Sequence, residues 1–481
     1  MTDLNAAARV GSMRFLSDAD KRDIYEGALW VLSEVGMTLH HEEAVQLLLS
    51  AGCRVDDGGR VRVPKRLVED ARGSVPSMIR VYDREGALAM ELGHYNSYFG
   101  PGSDLLSTYD VETGEHRPSS LEDVARAAHL VDALSNIDFV MSSAYPAEVE
   151  PHASYLRSYA AMMRNTTKPL VVTAEDAKDL RVMCDVAAVL RGGDGNLRDR
   201  PYFIVYNEPV SPLSHSVEGI EKLLVCADTG VPSIYASAQI MGATAPVTVA
   251  GHMVQGIAEC LFGMVLHQLR SPGAPFVFGH GLAVLDMSTS QCLYNSVESY
   301  LTEVGMIEMA KWLDLPNFGL AGSTDSQLVD AQNGLEIAEL TLLVMQAGSN
   351  LNHDVGYMDF GLTGSLESIV ITDECVGLNR SLMAGIEVTR ESLALDVIAT
   401  VGPGGSFLGE AHTRKLLRSN RWQPTILNRR SRDRWLLDGG PDLRERARRR
   451  ALELLKAHDV KPLPADVGDT LDRALARGVV R

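Results

Sequence analysis

Residues 202–209 read Tyr-Phe-Ile-Val-Tyr-Asn-Glu-Pro, a short apolar run that ends abruptly in polar residues. Apolar runs without polar alternation are typical of strands buried on both faces of a parallel sheet. Similar runs recur along the chain, and the starts of neighbouring runs lie 30 to 43 residues apart. The runs occupy residues 137–142, 169–173, 202–206, 232–236, 275–278, 317–320 and 350–355.

The interval between successive runs has room for one helix each time. Apolar residues at helical spacing fill such intervals, for example over residues 247–269 and 335–345. This alternation of strand and helix favours an α/β fold of the (β/α)8 barrel type over an open doubly wound sheet. The eighth strand is not obvious, and we expect it either at residues 98–100 or after residue 385.

The sequence changes character on both sides of the predicted barrel. Before residue 95, apolar residues at helical spacing predict helices over 18–49, and a turn sequence at 56–59 predicts a short strand pair. We therefore expect a helical N-terminal extension (1–95), the barrel (96–410) and an Arg-rich helical C-terminal tail (411–481).

The composition is that of a globular protein with a large core. The chain has 481 residues, 45% of them hydrophobic and 22% charged, which excludes disorder, collagen and coiled coil as the main state. The net charge of −18 argues against general nucleic-acid binding. No apolar run is long enough to span a bilayer, and the first residues lack a signal pattern, so we expect a cytoplasmic protein with no membrane partner.

The six cysteines are scattered, and none has the Cys-x-x-Cys spacing. In a long chain without a signal pattern, such cysteines are usually reduced and buried. No cluster of Cys and His has the spacing of a zinc site, so we predict no structural metal.

The charge is distributed unevenly along the chain. Residues 414–450 hold thirteen Arg or Lys and four Asp or Glu, a net of +9, which leaves −27 for the rest. This segment is either a solvated or ion-paired helical tail, or a surface that docks a partner. Arg448, Arg449 and Arg450 are the densest part of it.

In a barrel of this type the active site forms at the carboxyl ends of the strands. Polar or glycine-rich residues follow most of the predicted strands, which indicates a wide polar cavity. The candidates at these ends are Tyr145, Asn207, Glu208, Thr244, His353 and Asp354. Turn chemistry alone could account for glycines such as Gly242 and Gly281.

Nucleotide-binding fingerprints are missing from the sequence. Neither Gly-x-Gly-x-x-Gly nor the phosphate-binding Gly-x4-Gly-Lys-Ser/Thr loop occurs, which argues against dinucleotide and nucleoside triphosphate enzymes. The run Gly402-Pro403-Gly404-Gly405 has no strand-to-helix context. Its glycines either serve a tight turn or let the backbone approach a bulky ligand.

Six segments, in this order, resemble the trimethylamine methyltransferase family. Together they span most of the chain, so the resemblance extends from about residue 28 to the Arg-rich tail. The segments are residues 98–104 (YFGPGSD), 163–169 (MRNTTKP), 206–213 (YNEPVSPL), 242–248 (GATAPVT), 353–357 (HDVGY) and 401–413 (VGPGGSFLGEAHT).

The resemblance implies a barrel enzyme that moves a methyl group from a methylated amine to the cobalt of a separate corrinoid protein. Cobalamin would thus come with the partner and would not be bound tightly by this chain. Archaeal trimethylamine members carry pyrrolysine, whereas this sequence has standard residues only. It is similar to the non-pyrrolysine branch, which implies a quaternary amine such as glycine betaine as substrate.

A quaternary ammonium substrate would be held by aromatic faces and carboxylates. The aromatic candidates are Tyr98, Phe99, Tyr145, Tyr206 and Tyr357. The carboxylate candidates are Asp104, Glu208 and Asp354. A substrate carboxylate would need a donor such as His353, Asn207 or Thr244, and His353 with Asp354 forms the predicted catalytic pair. The glycines expected to face the corrinoid are Gly242, Gly402, Gly404 and Gly405.

Each candidate has a structural alternative. Tyr206 and Phe99 could simply pack the barrel, His353 and Asp354 could satisfy each other as a buried pair, and Glu208 could cap the next helix. At the level of function, a barrel lyase or hydrolase and a non-catalytic betaine-binding protein remain open. We also expect a homo-oligomer.

Overall fold

A closed ring of parallel strands forms the centre of the protein. The computed structural model describes residues 13–417 and 421–478. A seven-stranded sheet carries the ring, and each neighbouring pair in it is parallel. Its strands are Tyr98–Phe99, Leu170–Val172, Phe203–Asn207, Ser233–Ser237, Phe276–His280, Asn317–Leu320 and Leu351–His353.

The ring closes through a segment that is barely a strand. Of the predicted strand 137–142, Val140 alone forms a parallel bridge, to Leu170. On the other side, Asp138 N–H donates to the Phe99 carbonyl at 2.6 Å. Tyr98–Phe99 in turn pairs with Leu351–His353. The eighth strand is therefore at residues 98–100, and the alternative position after residue 385 was wrong.

Side chains hold this closing segment in place. The Asp138 carboxylate accepts the Phe99 N–H at 2.9 Å and the Arg380 guanidinium at 2.6 Å. The Lys168 ammonium donates to the carbonyls of Val131, Leu134 and Ile137. Charged groups thus replace the ladder hydrogen bonds that a regular strand would make here.

Helices surround the ring, as the alternating pattern predicted. The larger ones are Leu121–Ala133, Pro151–Asn165, Ala177–Arg191, Val217–Thr229, Val249–Arg270, Val297–Trp312, Ala331–Ala347 and Leu366–Met383. The Ser120 capping box is present, since its hydroxyl accepts from Asp123 N–H and the Asp123 carboxylate accepts from Ser120 N–H.

Alternation along the strands separates two cores. Interior side chains form one apolar cluster that includes Val171, Ile204, Ile234, Val277 and Phe318. Their neighbours in sequence, such as Phe203 and Phe278, pack outward against the helices. Strand residues two apart share a face, so this alternation fixes which strand-end residues point into the barrel.

The N-terminal region contains hairpins as well as helices. A hairpin of Ile79–Tyr82 and Leu88–Leu92 places Ile79, Val81 and Met90 in the interior cluster of the barrel. It therefore closes the amino end of the ring. The other elements are helices Asp18–Trp30, Glu42–Ser50 and Lys65–Ser74, a π-helical turn Val31–Val35, and strands Met37–Leu39, Arg54–Val55 and Arg60–Arg62. The last two confirm the strand pair predicted around 56–59.

Shorter elements decorate the loops between the main strands and helices. They are strands Ser107–Tyr109, His116–Pro118, Ser214–His215, Ile240–Met241, Ala283–Asp286, Gln291–Leu293, Tyr357–Met358 and Thr363–Ser365, and helix Asp194–Asp199.

The last two helices of the chain lie against the outer helices of the barrel. The helices beyond residue 394 are Leu395–Val401, which precedes the predicted tail, and Ala411–Leu416, Arg432–Leu437, Leu443–Ala457 and Ala465–Gly478, which belong to it. Ala447 and Leu471 belong to the main core cluster, so the last two helices are docked. The Arg448 guanidinium donates to the Val111 carbonyl at 2.7 Å, and Arg449 pairs with Glu445 within its own helix.

Helix Val249–Arg270 is the one helix in the described ranges that is long and apolar enough to cross a membrane. Most of it is buried against the barrel and the N-terminal helices, which accounts for its apolar composition.

Asp132 connects the tail to the loop before strand Leu170–Val172. Its carboxylate accepts His458 Nε2 at 2.7 Å, the Thr167 N–H at 2.6 Å and the Thr166 hydroxyl at 2.8 Å. Burial opposes ionisation, but these hydrogen bonds outweigh it and lower the pKa of Asp132 from 3.8. The carboxylate therefore stabilises the fold fully above its unfolded pKa, and this contribution is lost as the pH falls through the folded pKa.

We predict that Asp132→Asn lowers the free energy of unfolding at pH 7 by about 2–3 kcal/mol, because charged hydrogen bonds are lost. Urea unfolding at pH 7 and in mild acid would measure it, and the variant should also lose part of the acid sensitivity. Glu453→Gln, on the exposed face of its helix, is the control. An unchanged midpoint in the Asp132 variant would contradict this role.

Candidate functional site

Three ring side chains meet inside the barrel; Tyr206 and His353 come from the carboxyl ends of their strands, and Phe318 from the second position of its strand. The rings of Phe318 and His353 are stacked, with centroids 4.2 Å apart and planes 14° apart. The Tyr206 ring lies 5.6 Å from Phe318 and 6.1 Å from His353. All three occupy inward positions of neighbouring or nearby strands, so the alternation of the sheet places them together.

Asp354 lies directly against His353. Its Oδ1 is 2.6 Å from His353 Nδ1 but lacks hydrogen-bond geometry, and within the described chain neither ring nitrogen has a hydrogen-bond partner. Asp354 has a positive φ of 74°, an uncommon conformation for a non-glycine residue outside a functional or strained site. The two residues predicted as a catalytic pair are therefore in contact, and both are buried.

Gly102 is required next to this pair. A Cβ at Gly102 would collide with Asp354 Oδ1 and with the Tyr357 hydroxyl. The Tyr357 hydroxyl donates to the Ser103 carbonyl, so the segment after strand Tyr98–Phe99 packs directly against the pair. This close approach explains why a glycine stands in the YFGPGSD segment.

Carboxylates line the side of the cavity near Tyr206. The Tyr206 hydroxyl donates to Glu208 Oε2 at 2.9 Å. Solvent reaches Glu208 through the mouth, yet desolvation by the surrounding protein raises the pKa of its carboxyl. Burial likewise raises the pKa of Asp104, which accepts a hydrogen bond from the Ser103 hydroxyl at 2.7 Å.

The sequence analysis missed several residues of this site. Phe318 was assigned to a strand but not to the cavity, although inward alternation would have revealed it. Tyr294 comes from the loop before helix Val297–Trp312, where Asp325 accepts its N–H at 3.1 Å. Burial and the nearby Asp354 raise the pKa of Tyr294. Lys222 lies close enough to Glu208 for their charges to interact, and burial lowers the pKa of its ammonium group.

Some predicted residues lie elsewhere. The Tyr98 hydroxyl accepts the Glu91 N–H at 3.1 Å, so its side chain reaches the hairpin at the amino end of the barrel. Phe99 is fully buried in the outer core. Asn207 faces outward, and its Nδ2 donates to the Gly219 carbonyl at 2.6 Å.

Residues on the loops after the strands occupy the edge of the site. Thr244 Oγ1 accepts the Ile240 N–H at 2.8 Å and closes a turn that also contains Gly242, with φ of 84°. The Tyr145 ring packs edge to face against Tyr155, at 6.3 Å.

Gly402, Gly404 and Gly405 lie apart from the cavity of their own chain. They belong to a segment that follows helix Leu366–Met383. That helix ends near the amino ends of the strands, where Arg380 contacts the Ser97 carbonyl. The segment that carries these glycines therefore begins at the end of the barrel opposite to His353.

Another histidine at a strand end points away from the cavity. His280 Nε2 lies 3.0 Å from Glu303 Oε2, on helix Val297–Trp312. Glu303 Oε1 also accepts the Leu320 N–H at 2.9 Å. The hydrogen bond from Leu320 links the sheet to this helix. In the described part of the chain, no group of three or more His, Cys, Asp or Glu residues is placed to hold a metal.

Exposed apolar side chains occur on the loops around the mouth. Each of these loops follows a different barrel strand, so the side chains are distributed around the same end of the ring. We call them the rim; they are Leu106, Val210, Val247, Met287 and Leu362.

Comparison with known proteins places the whole chain in one family. The family model described as trimethylamine methyltransferase (MTTB) matches residues 4–479. The trimethylamine methyltransferase MttB of Desulfitobacterium hafniense (strain DSM 10664 / DCB-2) is 30% identical over 456 residues, covering 95% of this chain and 92% of that protein. The glycine betaine methyltransferase of D. hafniense (strain Y51) is 26% identical, covering 96% of each.

Among solved structures, the monomethylamine methyltransferase MtmB of Methanosarcina barkeri aligns with a TM-score of 0.49 at 12% identity, covering 94% of this chain and 96% of that chain. The family resemblance noted in the sequence is confirmed by the match of the family model over nearly the full length. The chain belongs to the trimethylamine methyltransferase family.

Proposed function

We propose that this methyltransferase moves a methyl group from a betaine-type quaternary amine to the corrinoid cobalt of a partner protein. The observation that carries the proposal is that the rings of Tyr206, Phe318 and His353 lie 4.2–6.1 Å apart, with Glu208 against Tyr206 and Asp354 against His353. Aromatic faces and carboxylates together recognise a quaternary ammonium cation, which has no N–H group and cannot donate a hydrogen bond. The relatives named above act on methylated amines, which supports this choice.

The reaction itself makes modest demands on acid–base chemistry. When a quaternary ammonium loses a methyl group, the leaving group is a neutral tertiary amine, and no proton has to be supplied. The protein must instead align the C–N bond with the acceptor and exclude water. The bound corrinoid of the partner would supply the nucleophile. Buried, mutually fixed side chains such as His353 and Asp354 suit this task of alignment.

His353 has a defined role in this proposal. Its Nδ1 lies beside Asp354 Oδ1, and its Nε2 has no hydrogen-bond partner among the described residues, so Nε2 is available to the substrate. Stacking on Phe318 prevents the ring from turning away. A substrate carboxylate could accept a hydrogen bond from Nε2, while its trimethylammonium end lies against Tyr206 and Glu208.

The rim offers the corrinoid protein an apolar docking surface. Patches of exposed apolar side chains around a cavity are typical of interaction sites. The Arg-rich tail is less suited to this role, because Arg448 contacts the Val111 carbonyl and Arg449 and Arg450 form ion pairs within their own helix. We therefore assign docking to the rim and not to the tail.

The proposal is tested by methyl transfer from a panel of quaternary and tertiary amines to added cob(I)alamin. We expect methylcobalamin to form with a betaine-type substrate, which its visible spectrum would show. If no methylated amine in the panel yields methylcobalamin, the proposal fails. Tight binding of a betaine without turnover would support a binding protein, and release of another product would support a lyase or hydrolase.

We predict that His353→Ala lowers kcat by roughly 100-fold or more, because small errors in alignment cost that much in such reactions. Circular dichroism should show an intact fold. His152→Ala, at an exposed position, serves as the matched control. Unchanged turnover in the His353 variant would remove this residue from the site.

We predict that Val247→Glu combined with Met287→Glu lowers kcat/KM for the corrinoid protein by roughly tenfold, equivalent to about 1.4 kcal/mol of docking energy. The rate with free cobalamin should stay unchanged, because these side chains do not line the inner cavity. Val189→Glu, at an exposed position on an outer helix, is the control. Equal losses with both acceptors would contradict docking at the rim.

A further inference from the structure

Residues 386–417 extend away from the body after helix Leu366–Met383, and the chain is anchored to the body at Thr425. There the Glu374 carboxylate accepts the N–H groups of Thr425, Ile426 and Leu427, at 2.9–3.3 Å. Between these anchors, residues 386–417 form a segment that we call the arm. For residues 386–415, every hydrogen bond and ion pair seen in the structure stays within the arm.

The arm exposes large apolar side chains along its whole length. Ile386 is 82% exposed and Leu408 is 87% exposed. A long connection whose hydrogen bonds and ion pairs over residues 386–415 all stay within itself is uncommon unless it has a function. Its exposed apolar side chains are Ile386, Val388, Leu393, Leu395, Ile398, Phe407, Leu408 and Leu417.

A cleft of about 600 Å³ lies on the body next to the base of the arm. It is enclosed by helices Ala331–Ala347, Leu366–Met383 and Leu443–Ala457. Its lining is mostly apolar, apart from Asp330, Glu374, Asp442 and Arg444. The apolar lining residues are Val329, Ala331, Ala338, Ile371, Cys375, Leu378, Ile426, Leu427 and Leu443.

The arm and the cleft are complementary in chemistry, yet the arm does not fill the cleft of its own chain. We propose that the arm of one copy occupies the cleft of a second copy, so that the protein assembles by exchange of arms. The proposal commits to a second copy because of the kind of surface the arm presents. Permanent interfaces between identical chains are more apolar than those of partners that bind and leave.

Charge supports the same choice. Within residues 386–417, Arg390, Arg414 and Lys415 stand against four acidic residues, Glu387, Glu391, Asp396 and Glu410. A nearly neutral surface does not steer a transient charged partner. The arm also leaves from the end of the barrel opposite to His353, so arm exchange would leave the proposed catalytic mouth and its rim accessible.

The first test measures the mass of the assembly. We expect the wild-type protein to be an oligomer at micromolar concentration in sedimentation and light scattering. Ile398→Asp combined with Leu408→Asp should reduce it to a monomer of 52.2 kDa, with unchanged unfolding of the monomer since both side chains are exposed. Val55→Asp, exposed on the N-terminal hairpin, should leave the assembly intact. A monomeric wild type, or an arm variant that keeps the wild-type mass, would overturn the proposal.

The second test locates the occupied surface. Cys375 lines the cleft and can be joined to a cysteine placed on the arm. One chain would carry Leu408→Cys or Ile398→Cys together with Cys375→Ser. This variant would be mixed with wild-type chains and treated with a short bismaleimide cross-linker. A cross-linked dimer whose peptides join the arm to Cys375 supports the exchange.

The same cross-link could also form between the arm and the cleft of a single chain. With Leu408→Cys or Ile398→Cys alone, a link confined to single chains would show that the arm covers its own cleft. That result, or links that never involve Cys375, would reject exchange between copies. Methyl transfer to free cobalamin is measured in parallel, so failure of arm exchange remains distinguishable from failure of the proposed function.

Discussion

The closure of the barrel beside residue 138 is the constraint on which the other features depend. The strand Tyr98–Phe99 has two residues, and its neighbour makes a single bridge. The backbone ladder lacks several hydrogen bonds here. The charged side chains of Asp138, Arg380 and Lys168 form hydrogen bonds in their place. The Asp138–Arg380 pair is partly exposed, and its charged hydrogen bonds hold the seam together. Once it is closed, the inward positions of every strand are set, and Tyr206, Phe318 and His353 meet.

The face of the sheet on which a side chain lies decides how much of the site could be predicted from the sequence. The apolar runs and their spacing predicted the barrel, and the strand ends named His353, Asp354, Asn207 and Glu208, while Tyr206 was an aromatic candidate for holding the ammonium group. They could not separate Tyr206, which points inward, from Asn207, which points to a helix. That distinction requires the register of the sheet, and a shift of one residue exchanges the two faces. His280 illustrates the same limit, because it ends a strand but contacts Glu303 in the outer layer.

The sequence pattern could not predict contacts between distant parts of the chain. The basic segment 414–450 suggested either an ion-paired tail or a docking surface, but Arg448 contacts a backbone carbonyl 337 residues away. Carbonyl groups carry no sequence signal, so such a contact cannot be read from charge alone. The hairpin at residues 79–92 is similar: its apolar side chains were visible, whereas their place inside the amino end of the barrel was not.

That hairpin has a consequence for the order in which the amine and the carrier protein bind. Because it closes one end of the ring, the cavity around His353 has its entrance at the other end, which is also where the rim lies. For an enzyme of the proposed kind, a docked carrier protein would cover the route by which the small amine enters and leaves. The amine would then have to bind before the carrier, and the demethylated product would have to wait until the carrier departs. Turnover would follow a compulsory order, and excess carrier would inhibit by occupying the empty enzyme.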